Sequence, residues 1–298
     1  MQYNSLDKAG FKVSRVSFGC MSLKNTATNN DALISKAIDE GITLFDTADL
    51  YDKGENEKLL GKALKGNRQK IHISTKVGNQ WRKDGSGWDW NPRKEYILKA
   101  VDDSLKRLQT DYIDLYLLHG GTIEDPIDET IEAFERLTEQ GKIVSYGISS
   151  IRPNVIKKYV KKSNIAAVML QYSLLDRRPE EEILKLLKDN TIGVLARGTV
   201  AGGLLGGKPA KEYLGIPEIE VATIANHLIK LTPEKATAAQ TAMRYVMSNQ
   251  AITTAVAGIR TEQQLYEALQ AGQSGTLPAG EYNSLRNLRE GNTYQQHL

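Results

Sequence analysis

Eight short apolar runs, rich in β-branched residues, recur along the chain: VSFGC (16–20), ITLFD (42–46), IHISTK (71–76), IDLYLLH (113–119), IVSYGIS (143–149), AAVMLQ (166–171), TIGVLA (191–196) and ITTAVAG (252–258). Runs that are apolar at nearly every position, with little polar alternation, read as strands buried on both faces, the condition of a parallel sheet. Between them lie segments with helical spacing. In PRKEYILKAVDDSLKRLQT, Ile97, Val101, Leu105 and Leu108 fall on one stripe, with Asn91 placed to cap and Pro92 suited to the first turn. In DPIDETIEAFERLTEQGK, Ile127, Ile131, Phe134 and Leu137 do the same, and Gly141 supplies a stop.

Strand and helix alternating eight times is the pattern of a (β/α)8 TIM barrel, an α/β fold. A doubly wound open sheet is the rival, but eight parallel runs in 298 residues close more naturally into a ring. No fixed-period repeat or Pro/Gly/Ser linker divides the sequence, so residues 1–298 read as one domain. Two stretches fall outside the repeat. Residues 1–13 suit a hairpin across the bottom of the barrel, and 197–251 is long enough to carry extra structure after the seventh strand.

With 40% hydrophobic residues the chain can fill a sizeable core, while 39 basic against 36 acidic residues leave a net charge of only +3. That balance argues against a nucleic-acid footprint. One cysteine, Cys20, forbids an internal disulfide and suits a reducing compartment. The polar start MQYNSLDKAGFKV has no apolar signal region, and no run approaches membrane-spanning length. A cytoplasmic protein acting on a small molecule is expected, with neither nucleic acid nor membrane as partner.

Active sites of such barrels lie at the C-terminal ends of the strands. Asp46 ends the second run, Lys76 the third and His119 the fourth, with Tyr51 in the loop after Asp46. Each alone has a structural reading: a turn cap, a loop lysine, a rim ring, a strand-end cap. Together they place an acid, a base, a phenol and an imidazole at one mouth. A free phenol gives up its proton near pH 10, and an ammonium held beside it favours the phenolate. A carboxylate keeps the ammonium charged and aimed, and an imidazole can orient a carbonyl oxygen. Such a set donates a proton to a developing alkoxide, as carbonyl reduction requires. The hydride has to come from a nicotinamide cofactor.

No GxGxxG follows a strand, so a Rossmann site is absent. ARGTVAGGLLGGKP (196–209) includes a GxxxxGK spacing from Gly202 to Lys208. Pro209 then stands where a magnesium-holding hydroxyl belongs, which speaks against nucleotide hydrolysis. A glycine loop wrapping a pyrophosphate is the better functional reading, beside the plain one of a flexible loop. Arg260, opening the last helix, suits a ribose phosphate. The loop NQWRKDGSGWDWNP after Lys76 holds all three tryptophans, Trp81, Trp88 and Trp90. It reads as a substrate wall, or as rings pinning a long loop to the rim.

The segments LFDTADLYDKGENEKLLGKAL, ISTKVG, TDYIDLYLLHG, GKIVSYGISS, MLQYSLLDRR and AGGLLGGK, in this order, resemble the aldo-keto reductase superfamily over essentially the whole chain. The resemblance implies a barrel that reduces aldehydes and ketones with NAD(P)H, without metal or flavin. It implies a tetrad of Asp46, Tyr51, Lys76 and His119, with Tyr51 the acid. It puts Ser149 and Gln171 on the nicotinamide carboxamide, Arg197 and Gly198 beside the nicotinamide, and Gly203, Leu204, Gly206 and Lys208 around the pyrophosphate. Arg260 and Gln264 fall at the adenosine end, and Arg260 favours NADPH, with NADH possible. The sequence departs from the family pattern in three places. Ser150 stands for an asparagine, Arg197-Gly198-Thr199-Val200 for a tyrosine with Ser-Pro-Leu, and Ala268 for an asparagine. Two other functions fit these residues: a cofactor-sensing regulatory subunit with little turnover, and a Schiff-base aldolase using Lys76, which a charge-holding Asp46 would oppose.

Overall fold

The computed structural model describes residues 1–24 and 29–298. Twelve strands follow one another along these residues: β1 (Tyr3–Leu6), β2 (Phe11–Ser14), β3 (Val16–Gly19), β4 (Leu44–Asp46), β5 (His72–Val77), β6 (Asn79–Trp81), β7 (Trp88–Trp90), β8 (Ile113–Leu118), β9 (Ile143–Ser149), β10 (Ala167–Gln171), β11 (Gly193–Arg197) and β12 (Thr254–Gly258). Eight of them close a barrel in the order β10–β11–β12–β3–β4–β5–β8–β9, each neighbouring pair parallel. All eight apolar runs of the sequence become its staves. The remaining four strands form two antiparallel hairpins, β1–β2 and β6–β7.

The apolar runs are explained by what each face meets. Alternate residues, among them Leu44, Leu115, Leu117, Ala167, Met169 and Leu195, point inward and fill the barrel. Leu6 and Val13 of the first hairpin join this inner cluster and are fully buried, so the hairpin stoppers the N-terminal end. The other face of the strands packs on the helices α1 (Asn30–Asp39), α2 (Glu55–Ala63), α3 (Lys94–Leu108), α4 (Ile127–Glu139), α5 (Pro153–Lys162), α6 (Ile183–Asp189), α7 (Glu218–Leu231), α8 (Ala238–Ser248), α9 (Glu262–Ser274) and α10 (Ala279–Arg286). Ile97, Val101 and Leu108 of α3, and Ile127, Ile131, Phe134 and Leu137 of α4, are the buried stripes that the spacing predicts. Gly61 lets α2 approach α3: a Cβ there would lie 2.5 Å from the Leu108 backbone.

Asn91 does not cap α3. Its Oδ1 accepts from the Arg93 amide at 3.2 Å, while the Lys94 amide opening the helix donates to Glu129 Oε1 of α4 at 2.9 Å. A partner remote in sequence takes the cap, which no local pattern could signal. The expected extra structure after the seventh barrel strand comprises a glycine-rich 3-10 turn, Ala201–Gly206, followed by α7 and α8. After α10 the chain runs without regular structure back over the barrel mouth. Arg177 fastens this tail by donating to the carbonyls of Arg286 and Arg289 and, from its backbone amide, to Asn292 Oδ1. The Tyr294 amide donates to Glu181, and the Asn154 amide to the carbonyl of His297. Among the described residues no helix is long and apolar enough to cross a membrane.

Candidate active site

Three neighbouring strands bring the predicted polar residues together. Asp46 closes β4, Lys76 is the penultimate residue of β5, and His119 follows β8 directly. The loop after β4 turns so that Tyr51 comes back over them. Asp52 and Lys53, just beyond, sit at φ +50° and +54°, a backbone region that side chains avoid and that a tight functional turn can hold. Lys76 Nζ donates to both Asp46 oxygens at 2.9 and 2.7 Å, to the Thr47 carbonyl at 2.6 Å and to the Tyr51 hydroxyl at 3.5 Å. The Tyr51 and His119 rings meet edge to face, centroids 5.9 Å apart.

The ion pair of this cluster is buried. Lys76 is 1% exposed and Asp46 4%. Burial alone would pull the Lys76 ammonium down, but the Asp46 carboxylate beside it, with the Tyr51 phenol, holds it above the ordinary lysine value. Burial raises the Asp46 carboxyl, and Lys76 opposes that rise. The two-pronged contact between Lys76 and Asp46 is that of an ion pair. His119 is driven the other way. Burial, then the positive charges of Lys76 and Arg197, lower it to about 3, so its imidazole is neutral throughout the physiological range. Its Nδ1 is buried with no hydrogen-bond partner among the described residues. Cys20 is fully buried, and its thiol is pushed up by burial and by Asp46, the pattern of an inert core residue.

Tyr51, His119 and Asp46 line a cleft of about 1720 Å³ at the C-terminal mouth. Of the residues expected to hold a cofactor, Ser149, Arg197, Gly198, Gly203, Lys208, Arg260 and Gln264 line it too. Gly203 sits at φ +101°, and a Cβ there would strike the Lys208 stem at 2.7 Å; Lys208 Nζ folds back onto the Gly202 carbonyl at 2.8 Å. Thr261 caps α9 by accepting from the Gln264 amide, and Gln264 Oε1 accepts from the Arg260 amide. The opening of α9 is thereby shaped around those two side chains. This lining suits an extended anionic ligand: bare glycine backbone at one stretch, and the cations Lys208 and Arg260 alongside.

Three of the expected cofactor positions lie off the cleft wall. Gln171 is not on the cleft wall. Its amide donates to Asp176 and to the Tyr213 hydroxyl, and its oxygen accepts from Arg197 Nη1 at 3.0 Å. Arg197 stands in front and occupies the amide's acceptor. Leu204 is buried in the core and Gly206 is off the wall, because the glycine loop winds into a 3-10 turn instead of lying flat along the cleft. None of the three tryptophans lines the cleft. Trp81 pairs with Trp88 across the β6–β7 hairpin, and Lys53 Nζ lies 5.2 Å from the Trp81 ring. Trp90 donates from Nε1 to Asp125 at 3.0 Å and packs against Gly78 and Gly120. Trp90 thus pins the hairpin to the rim, the structural alternative for this loop.

The sequence reading missed the tail. Residues 289–297 form one side of the cleft, and Ser150, Ile151 and Arg152 line it beyond Ser149. The tail is polar and without period, so nothing in its sequence signals a wall. Arg152 lies only three positions past Ser149, and its proximity to that strand end could have flagged it.

A parallel eight-stave barrel with a buried ion pair, a phenol and a neutral imidazole at the mouth of a long cleft defines an oxidoreductase barrel acting on a small molecule. The chain belongs to the aldo/keto reductase family, whose model matches residues 15–290. Over its full length it is 44% identical to YqkF, an uncharacterized oxidoreductase of Bacillus subtilis strain 168, and covers 99% of that protein. The holo form of aldo-keto reductase AKR11C1 from Bacillus halodurans superposes with a TM-score of 0.94 at 45% identity, covering 100% of this chain and 99% of that one. A Schizosaccharomyces pombe relative, aldo-keto reductase yakc [NADP(+)], is 34% identical over 65% of this chain and 60% of its own length.

Proposed function

We propose that the protein reduces aldehydes or ketones to alcohols with NADPH, using Tyr51 as the proton donor. The observation that carries this reading is the run of contacts from Asp46 through Lys76 to the Tyr51 hydroxyl, beside His119 at the cleft floor. A nicotinamide held in the cleft would supply the hydride to the carbonyl carbon. Lys76 donates to the Tyr51 oxygen, which leaves the phenol's own proton to point at a ligand. As that proton leaves, the ammonium stabilises the phenolate formed, and Asp46 keeps the ammonium charged. The neutral His119 orients the carbonyl oxygen without competing as a proton source. Ser149 and Arg197 would hold the nicotinamide end, Gly203 and Lys208 the pyrophosphate, and Arg260 and Gln264 the adenosine end. The Arg260 side chain makes no hydrogen bond or ion pair among the described residues and is available to a 2′-phosphate, and the relative named for NADP(+) favours the same cofactor.

A Schiff-base role for Lys76 is disfavoured because its nitrogen is buried, charged and spent on oxygen partners. A cofactor-sensing role needs the same cleft and is separated by turnover. Fluorescence titration with NADPH and NADH, followed by a panel of aldehydes, ketones and sugars, tests the proposal. Tighter NADPH binding with turnover on carbonyls is the expected result, and tight binding with no turnover on any of them would favour sensing.

A further inference from the structure

We propose that Arg152 selects carbonyl substrates that also carry a carboxylate. This rests on the carbonyl-reduction reading above and names the substrate class for that site.

Arg152 lies three residues beyond the end of β9, half-buried, on the wall of the cleft that Tyr51 and His119 line. Its Nη1 donates to the carbonyl oxygen of Gly121, two residues past His119. The guanidinium is therefore fixed to the loop that carries the imidazole, on the same side of the mouth. It has no carboxylate partner among the described residues. Two of the acids around the cleft are committed elsewhere, and Glu290, which also lines it, makes no ion pair with Arg152. Asp125, beside Gly121, accepts from the Thr122 amide and hydroxyl and from Trp90. Glu220, across the cleft, is taken by Arg289 at 2.9 Å. The other arginines of the cleft are occupied or remote: Arg178 pairs with Asp176, Arg197 holds Gln171, and Arg260 stands at α9.

An unpaired guanidinium that is half-buried and held from one side leaves the rest of its donor fork facing the ligand space. That planar fork matches a carboxylate in two-point contact, and the contact strengthens as solvent is excluded. Leu50 and Ile151 line the same cleft and offer apolar surface to a short spacer. The ligand that fits has its carbonyl at Tyr51 and His119, a few carbons along Leu50 and Ile151, and its anionic end on Arg152.

The test compares 4-formylbenzoate with its neutral methyl ester, for the parent enzyme and for Arg152→Gln and Arg152→Lys. Intrinsic reactivity cancels when the acid-to-ester ratio of kcat/KM is compared between enzymes. The ratio is expected to fall about tenfold or more in Arg152→Gln, through KM for the acid, and by less in Arg152→Lys, which keeps charge but loses the fork. A ratio unchanged in Arg152→Gln overturns the proposal, since a structural role would move both substrates alike. If the parent reduces neither aldehyde, the carbonyl-reduction reading fails by itself. Calorimetric titration of the parent and Arg152→Gln with benzoate then decides the anion site: binding lost in the variant supports it, and absent or equal binding refutes it.

Discussion

Replacing His119 with glutamine keeps a neutral side chain with a donor and an acceptor but removes the titration. In the folded protein the imidazole takes a proton only near pH 3, against 6.5 for an ordinary histidine. The unfolded chain therefore binds more protons between those two values. Stability is fully present above pH 6.5 and declines as the pH falls through the window toward 3. The whole difference in proton affinity is worth about 5 kcal/mol, and linkage places about 2 kcal/mol of it between pH 7 and pH 5. Urea unfolding of parent and His119→Gln at half-unit steps from pH 7 to pH 5 reads this directly. The stability difference between the two proteins should shift by about 2 kcal/mol in favour of the variant as the medium is acidified. Parallel pH curves would mean that folded His119 accepts a proton near its ordinary value, and its role as a neutral orienting group would be wrong.

Lys76→Met should cost about 3–5 kcal/mol in urea unfolding, because Asp46 is left buried without its cation; adding Asp46→Asn should restore much of that loss. Asp49, 8% exposed with Oδ1 lacking a partner among the described residues, has its carboxyl pushed well above the ordinary range by burial and by Glu57, against the pull of Arg107. A raised folded value means that stability is present at low pH and lost as the pH rises through it. Asp49→Asn should therefore gain on the parent as the pH rises above the ordinary carboxyl range in thermal or urea unfolding, and a gain on the acid side instead would contradict the assignment.

The barrel was legible because its staves are buried on both faces, so β-branched runs and the helices between them announce themselves. The four polar residues were legible for a related reason: each interrupts an apolar pattern where a strand ends or just after. What stayed hidden depends on partners remote in sequence. Glu129 opens α3 in place of Asn91, and Arg197 engages the amide of Gln171. The β6–β7 hairpin, with Asn79 opposite Trp90, arises from a stretch that reads as loop because glycine and charges break its pattern. The tail over the cleft is held by Arg177, whose guanidinium reaches carbonyls over a hundred residues away in the chain.

Everything proposed for catalysis depends on the Tyr51 hydroxyl delivering the proton. Single-turnover reduction of a benzaldehyde with NADPH, by parent and Tyr51→Phe under matched cofactor saturation, tests it most directly. A fall of about 10²–10⁴-fold in the rate, with NADPH still bound, is the result expected for loss of a positioned acid. A Tyr51→Phe enzyme that reduced the aldehyde within a few-fold of the parent would contradict the account.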